Sequence, residues 1–163
     1  MKSLLLMRHA KSSWKDSKLK DMDRPLTKRG LKNAPRMGQL LLEMDLAPQS
    51  ILCSPAVRAR QTAELVSEAL HFDGETYYLE NLYMAEPPAY LEALSKLPDE
   101  LERVLVIGHN PGLEALMQLL TDQCEALPTA SIAYISLPID AWKHLKKKTS
   151  GDLINLWRPR ELA

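Results

Sequence analysis

Apolar residues along this chain fall into short unbroken runs separated by stretches that repeat near every 3.6 residues, and this alternation predicts strands and helices in turn. Residues 4–7 are apolar without a break, as a strand buried on both faces of a largely parallel sheet requires. Further strands are expected at 50–53, 76–79, 104–107, 133–137 and 153–157. Between the first two, Thr27 offers an N-cap oxygen to a helix whose Leu31, Ala34, Met37, Leu41 and Met44 recur at steps of three and four and should pack on the sheet. Pro35 interrupts that pattern; lacking an N–H, it should kink or divide the helix. Ser54-Pro55 opens a second helix with Pro in its first turn and Ala59, Ala63, Val66 and Leu70 as its buried stripe. Pro87-Pro88 starts a third carrying Leu91, Leu94 and Leu97, and Leu113, Leu116 and Leu120 line a fourth. Residues 11–24 show neither period and read as a surface loop, while 142–148 has room for a short helix. Strands alternating with helices imply right-handed crossovers, hence an α/β fold: a three-layer α/β/α sandwich on a mostly parallel central sheet, with residues 1–163 as a single domain.

Composition removes several functions. With 21 basic and 21 acidic side chains there is no overall field to gather nucleic acid or an anionic membrane, although a local cationic pocket is compatible with this balance. Cys53 and Cys124 are the two cysteines; they supply neither metal-ligand spacing nor a disulfide framework and point to a reducing, cytoplasmic location. No run of about 18 apolar residues and no signal-peptide core occurs, so a soluble, unprocessed protein without a membrane partner is expected.

The candidate chemistry lies at strand ends. Arg8-His9 follows the first buried run, at the carboxyl end where open α/β sheets bind ligands. Taken alone, the pair reads more readily as a solvated strand end. However, the turn from Ser54 to Arg58 and the pair Gly108-His109 follow two other buried runs, so all three should open on one edge of the sheet. Arg8, Arg58, His9 and His109 would then meet. A guanidinium presents a planar fork of donors matched to phosphate oxygens and keeps its charge, which makes a paired-arginine pocket a phosphoryl pocket first. A helix N-terminus beside Arg58 adds backbone donors. No Asp/Glu/His cluster with ligand spacing accompanies these residues, so neither metal nor cofactor is expected. Cys53 and Arg58 are one residue too close for a cysteine-phosphatase loop, and Cys53 reads as a buried strand residue. His71 and His144 read as surface residues, Lys146 to Lys148 as a solvated face, Trp14 as part of the pocket rim, and Trp142 and Trp157 as packing residues.

These residues also carry a resemblance. Leu6-Met7-Arg8-His9-Ala10 resembles the Arg-His signature of the histidine phosphatase superfamily, the stretch from Ser54 to Thr62 resembles its second signature, and Gly108-His109-Asn110-Pro111 its third. Arg24-Pro25-Leu26-Thr27, Arg29-Gly30 and Leu82-Tyr83 agree in order and spacing. The short chain and the Arg-His-Ala-Lys-Ser variant are most similar to the SixA-like phosphohistidine phosphatases; Ala10 stands where the superfamily usually has Gly. The resemblance implies a phosphoglycerate-mutase-like fold and a phosphatase working through a phosphohistidine intermediate. It makes His9 the nucleophile, Arg8, Arg58 and His109 the phosphoryl-binding residues, with His109 a donor to a phosphoryl oxygen, and Arg24 an auxiliary. The implied partner is a protein carrying phosphohistidine. Two alternatives stay open: a phosphatase for a small phosphoester, and a non-catalytic phosphate-recognition module. A phosphoester must leave as an alkoxide unless an acid protonates it. Glu80, after the third predicted strand, is the leading carboxylate for that substrate-side role, with Asp21 and Asp23 as further candidates.

Overall fold

Leu4, Leu5, Leu6 and Met7 are fully buried, so the strand that holds them must be covered above and below. The computed structural model, which describes residues 1–162, places this strand, β1 (Lys2–Arg8), inside a sheet of six. The other elements follow in chain order: α1 (Lys28–Glu43), β2 (Ser50–Cys53), α2 (Val57–Leu70), β3 (Glu75–Tyr78), α3 (Pro87–Ser95), β4 (Arg103–Gly108), α4 (Gly112–Thr121), β5 (Ile132–Leu137) and β6 (Asp152–Trp157). The sheet order is β3-β2-β4-β1-β5-β6. Pairs β3/β2, β2/β4 and β4/β1 are parallel.

Alternate residues of the central strands point into two cores, following the two-residue period of a strand. Leu4, Leu6, Val104 and Val106 meet α3 and α4 through Tyr90, Leu94, Leu116 and Met117. On the opposite face Leu5, Met7, Leu105 and Ile107 meet α1 and α2 through Met37, Leu41, Ala63 and Val66. The three layers expected from the alternation of elements are therefore present.

Four local expectations are refined. β5 and β6 run antiparallel to β1 and to each other, so the crossover pattern stops at β4. β6 is largely exposed, and an antiparallel edge tolerates solvent on one face where a parallel strand does not. Leu31 and Met44 are 48% and 47% exposed: α1 turns Gly30, Ala34, Met37, Gly38 and Leu41 inward, and Met44 is already its C-cap. A Cβ at Gly38 would come within 2.8 Å of the Val66 carbonyl oxygen, so glycine there lets α1 and α2 approach closely. Pro35 does not divide α1; the carbonyl it cannot bond is that of Leu31, four residues earlier. Finally, α2 begins at Val57 with Ala56 as N-cap, leaving Pro55 outside the helix.

The side residues fall as expected: Cys53 and Trp142 are buried, Trp157 is half-buried, and His71 and His144 are exposed. A 3-10 turn at Trp142–His144 is the short helix between β5 and β6. Among the described residues, no helix is long and apolar enough to cross a membrane.

Candidate active site

Because β1, β2 and β4 are parallel, their carboxyl ends share one edge, and the three basic sequence stretches meet there around a cavity of about 270 Å³. Its lining includes Arg8, His9, Arg24, Arg58 and His109. Glu80 is not part of that lining; it is exposed, at the start of a 3-10 turn running Glu80–Leu82. The structure does not bring Glu80 to the cavity with the other expected residues: strand β3 ends at Tyr78, and the turn brings Tyr83 and Met84 there instead. The carboxylate bordering the cavity is Asp21.

The backbone of His9 is pinned from both sides. Its N–H donates to the Gly108 carbonyl at 3.1 Å, and the Ala130 N–H reaches the carbonyls of Arg8 and His9. Ala10 is fully buried, and its N–H donates to Thr62 Oγ1 at 3.0 Å, while Thr62 itself donates to the Arg58 carbonyl at 2.7 Å. That chain ties the Arg-His stretch to the first turns of α2, so Arg58 and His9 hold one mutual geometry. At the end of β4 a Cβ on Gly108 would collide with the Tyr90 hydroxyl, and one on Gly112 with the Ala85 carbonyl. The turn that delivers His109 therefore needs hydrogen at both positions.

Side-chain hydrogen bonds determine the state of each imidazole. His9 Nδ1 lies 2.8 Å from the Ala10 carbonyl oxygen, which can only accept, so Nδ1 carries the proton. Nε2 is left with its lone pair, and Arg58 Nε donates toward it at 3.4 Å. Burial pushes the His9 imidazole down to about 3; the Ala10 bond opposes that shift, and His109, Arg58 and Arg8 add to it. His109 Nδ1 faces Arg58 Nη2 at 3.5 Å and its Nε2 is 2.6 Å from Ser54 Oγ. A guanidinium only donates, so Nδ1 accepts and the Nε2–H points at Ser54 rather than at a substrate position. Burial, followed by the charge of Arg58, lowers His109 to about 4. Both rings are neutral at pH 7, as a nucleophilic imidazole must be.

Two of the cations, Arg24 and Arg58, are fixed by one carboxylate. Asp21 Oδ2 accepts from Arg58 Nη2 at 3.0 Å and from the Tyr83 hydroxyl, its Oδ1 accepts from Arg24 Nε at 3.1 Å, and its backbone carbonyl takes Arg58 Nη1 at 2.7 Å. Burial works against its ionisation, but the Tyr83 hydroxyl and the two arginines outweigh this and hold the carboxyl near 2. Arg24 also donates to Ser12 Oγ at 2.8 Å. Arg8 donates Nη1 to the Leu127 carbonyl at 3.2 Å, whereas its Nε is buried with no hydrogen-bond partner. A buried guanidinium donor left unpaired costs free energy, and this one belongs to a residue lining the cavity. Cys53 stands apart: it is buried, and burial pushes its thiol up. Among the described residues, no group of three or more metal-ligating side chains occurs.

Sequence reasoning named Asp21 only as a possible acid and missed its bracing of two arginines; the spacing Asp21-x-x-Arg24 was the one available signal. The second link is Thr62, whose position four residues after Arg58 on one helix face is the sequence signal for its bond to the Arg58 carbonyl.

Known proteins resemble this chain in sequence and in fold. The family model of the histidine phosphatase superfamily (branch 1) matches residues 4–82. An uncharacterized protein of Mycobacterium tuberculosis is 36% identical over 79% of this chain and 85% of its own length. One of Mycobacterium leprae is 31% identical over 94% of this chain and all of its own. Among solved structures, the protein histidine phosphatase SixA complexed with tungstate superposes with a TM-score of 0.84 at 25% identity, covering 99% of each chain. A mycobacterial glucosyl-3-phosphoglycerate phosphatase shares the fold, with a TM-score of 0.68 at 13% identity over 94% of this chain and 97% of that one.

Proposed function

The chain belongs to the histidine phosphatase superfamily, in its SixA-like part, and from that premise we propose that it hydrolyses phosphohistidine on proteins by carrying the phosphoryl group transiently on His9. The carrying observation is the His9 ring itself, which is neutral, with Nδ1–H held by the Ala10 carbonyl and the Nε2 lone pair facing Arg58. Attack of Nε2 on phosphorus forms the N–P bond as the substrate's N–P bond breaks, and the Ala10 carbonyl stabilises the positive charge that develops on the His9 ring. Arg8, Arg58 and Arg24 spread the charge of the phosphoryl oxygens, where positioning and electrostatics do most of the catalytic work. A phosphoryl oxygen would give Arg8 Nε its missing acceptor. A phosphoryl dianion beside His109 favours the protonated ring, which adds an Nδ1–H donor. Water then attacks the phosphorus on His9, releasing phosphate and restoring the neutral ring. Because the arginines supply positive charge, a metal is not required.

The leaving group supports phosphohistidine over an alkyl ester. Asp21, the carboxylate at the cavity, is ionised and bonded to Arg58 and Arg24, so it has no proton to give an alkoxide. A phosphohistidine ring already protonated on its other nitrogen departs as neutral imidazole, the base of an acid of pKa about 6.5, so the proton comes with the substrate and no carboxyl at the cavity has to supply it. We place the protein in the cytoplasm, where the free thiols of Cys53 and Cys124 stay reduced. The test is kcat/KM for a phosphohistidine peptide and for aryl phosphates of rising leaving-group pKa. A steep negative slope with efficient phosphohistidine cleavage is expected; a flat slope would reveal a working general acid and favour a small phosphoester as substrate.

A further inference from the structure

We propose that Trp14, stacked on Arg24 at the mouth of the His9 cavity, is the platform for the leaving group and selects phosphoryl compounds whose leaving group is a flat π system. The indole is 72% exposed, an unusual position for the largest apolar side chain. It is nevertheless held: the Arg24 guanidinium carbon lies 3.4 Å from the ring centroid. Arg24 is itself buried and bonded to Asp21 and Ser12. The backbone on the N-terminal side is anchored too, by a bridge between Ser12 and Leu26 and by the Ser13 N–H donating to the Pro25 carbonyl at 2.8 Å. An exposed aromatic ring on a fixed cation forms a rigid surface, and it borders the same cavity as His9.

In-line transfer decides which residues a leaving group can meet. With the nucleophile Nε2 at the floor among buried Arg58 and His109, the group opposite it across phosphorus points toward the mouth. There the lining changes from buried cations to the exposed side chains of Lys11, Trp14 and Met84. An imidazole or phenol can stack on the indole, whereas a saturated group of the same size lacks the flat π face for offset stacking. For imidazole as the natural group the inference rests on the phosphohistidine reading; the preference for a flat ring does not.

Binding of two matched phosphonates separates the two claims, because neither is turned over. Dissociation constants of phenylphosphonate and cyclohexylphosphonate are measured for the wild type, Trp14→Ala and Trp14→Phe, with tungstate as a probe of the phosphoryl pocket alone. The wild type should favour the phenyl compound about fivefold to tenfold, the range expected for one aromatic pair. Trp14→Ala should erase that preference with tungstate affinity unchanged within about twofold, and Trp14→Phe should keep most of it. No preference in the wild type would overturn the proposal. So would equal weakening of tungstate in Trp14→Ala, since the indole would then serve only to hold Arg24. If the preference and its loss are observed but phosphohistidine is not hydrolysed, the platform stands and the phosphohistidine reading falls. If phosphohistidine is hydrolysed with no phenyl preference, the platform alone falls.

Discussion

Two hollows in this molecule differ in the opposite sense from what their sizes suggest. The larger, about 820 Å³, lies between α3, α4 and the segment after β5, with Leu91, Leu119 and Leu145 on its walls and Lys143 and Lys146 at its edge. The smaller, about 270 Å³, is lined by buried arginines and histidines. The large hollow is made of ordinary helix surfaces and solvated lysines. In the small one, by contrast, each buried ionisable group is held by named partners, and both imidazoles are driven neutral by burial. Chemistry here follows fixed buried charge, and volume is no guide to it.

The largest effect that could break this contrast is at His9. His9→Ala should lower turnover by about 10³-fold or more, the scale of losing a nucleophile, and Cys53→Ser should leave it intact; steady-state assays of both variants decide the matter. Arg58→Lys comes next. It keeps the charge but loses the fork that bonds Asp21 and His9 together, so turnover should drop roughly 10²-fold, as for a lost preorganised donor; a near-wild-type rate would remove Arg58 from the phosphoryl site.

Acid sensitivity sharpens the contrast further. His9 and His109 sit at about 3 and 4, below the ordinary 6.5. As pH falls below 6.5 the unfolded chain takes up protons that the folded one refuses, so their contribution to stability is complete above that value and is lost on descending to about 3. Asp21, lowered to about 2, adds a further loss only below its ordinary 3.8. Tm should therefore decline from pH 7 to pH 4, and less steeply in His9→Ala; an unchanged slope in that variant would contradict a buried neutral ring. The smallest effect belongs to the large hollow: Leu119→Ser, at a 41% exposed position, should change stability by less than about 0.5 kcal/mol and turnover by less than twofold.

What the sequence revealed follows the same division. Strand ends were legible because β1, β2 and β4 are buried on both faces and therefore unbroken in apolar residues, which located Arg8, His9, Arg58 and His109 on one edge. The antiparallel turn of β5 was not legible, since a short apolar run carries no sign of its direction. Leu31 and Met44 fit the helical period, but glycines take the inward places at 30 and 38, where a Cβ would meet the Lys11 carbonyl of the preceding loop and the Val66 carbonyl of α2. Asp21 sits in an aperiodic loop and its bonds reach 37 and 62 residues away, to Arg58 and Tyr83; no local pattern encodes such a contact. Glu80 looked better placed only while β3 was expected to run through Leu79.

The central claim is that the phosphoryl group passes through His9, and a trapped intermediate tests it most directly. The protein is mixed with a phosphohistidine peptide, quenched in alkali within the first turnover, digested, and its phosphopeptides are located by mass spectrometry. The account predicts an acid-labile, alkali-stable phosphoryl group on the peptide carrying His9, absent from His9→Ala. A phosphoryl group on another residue, or turnover that persists in His9→Ala, would contradict it.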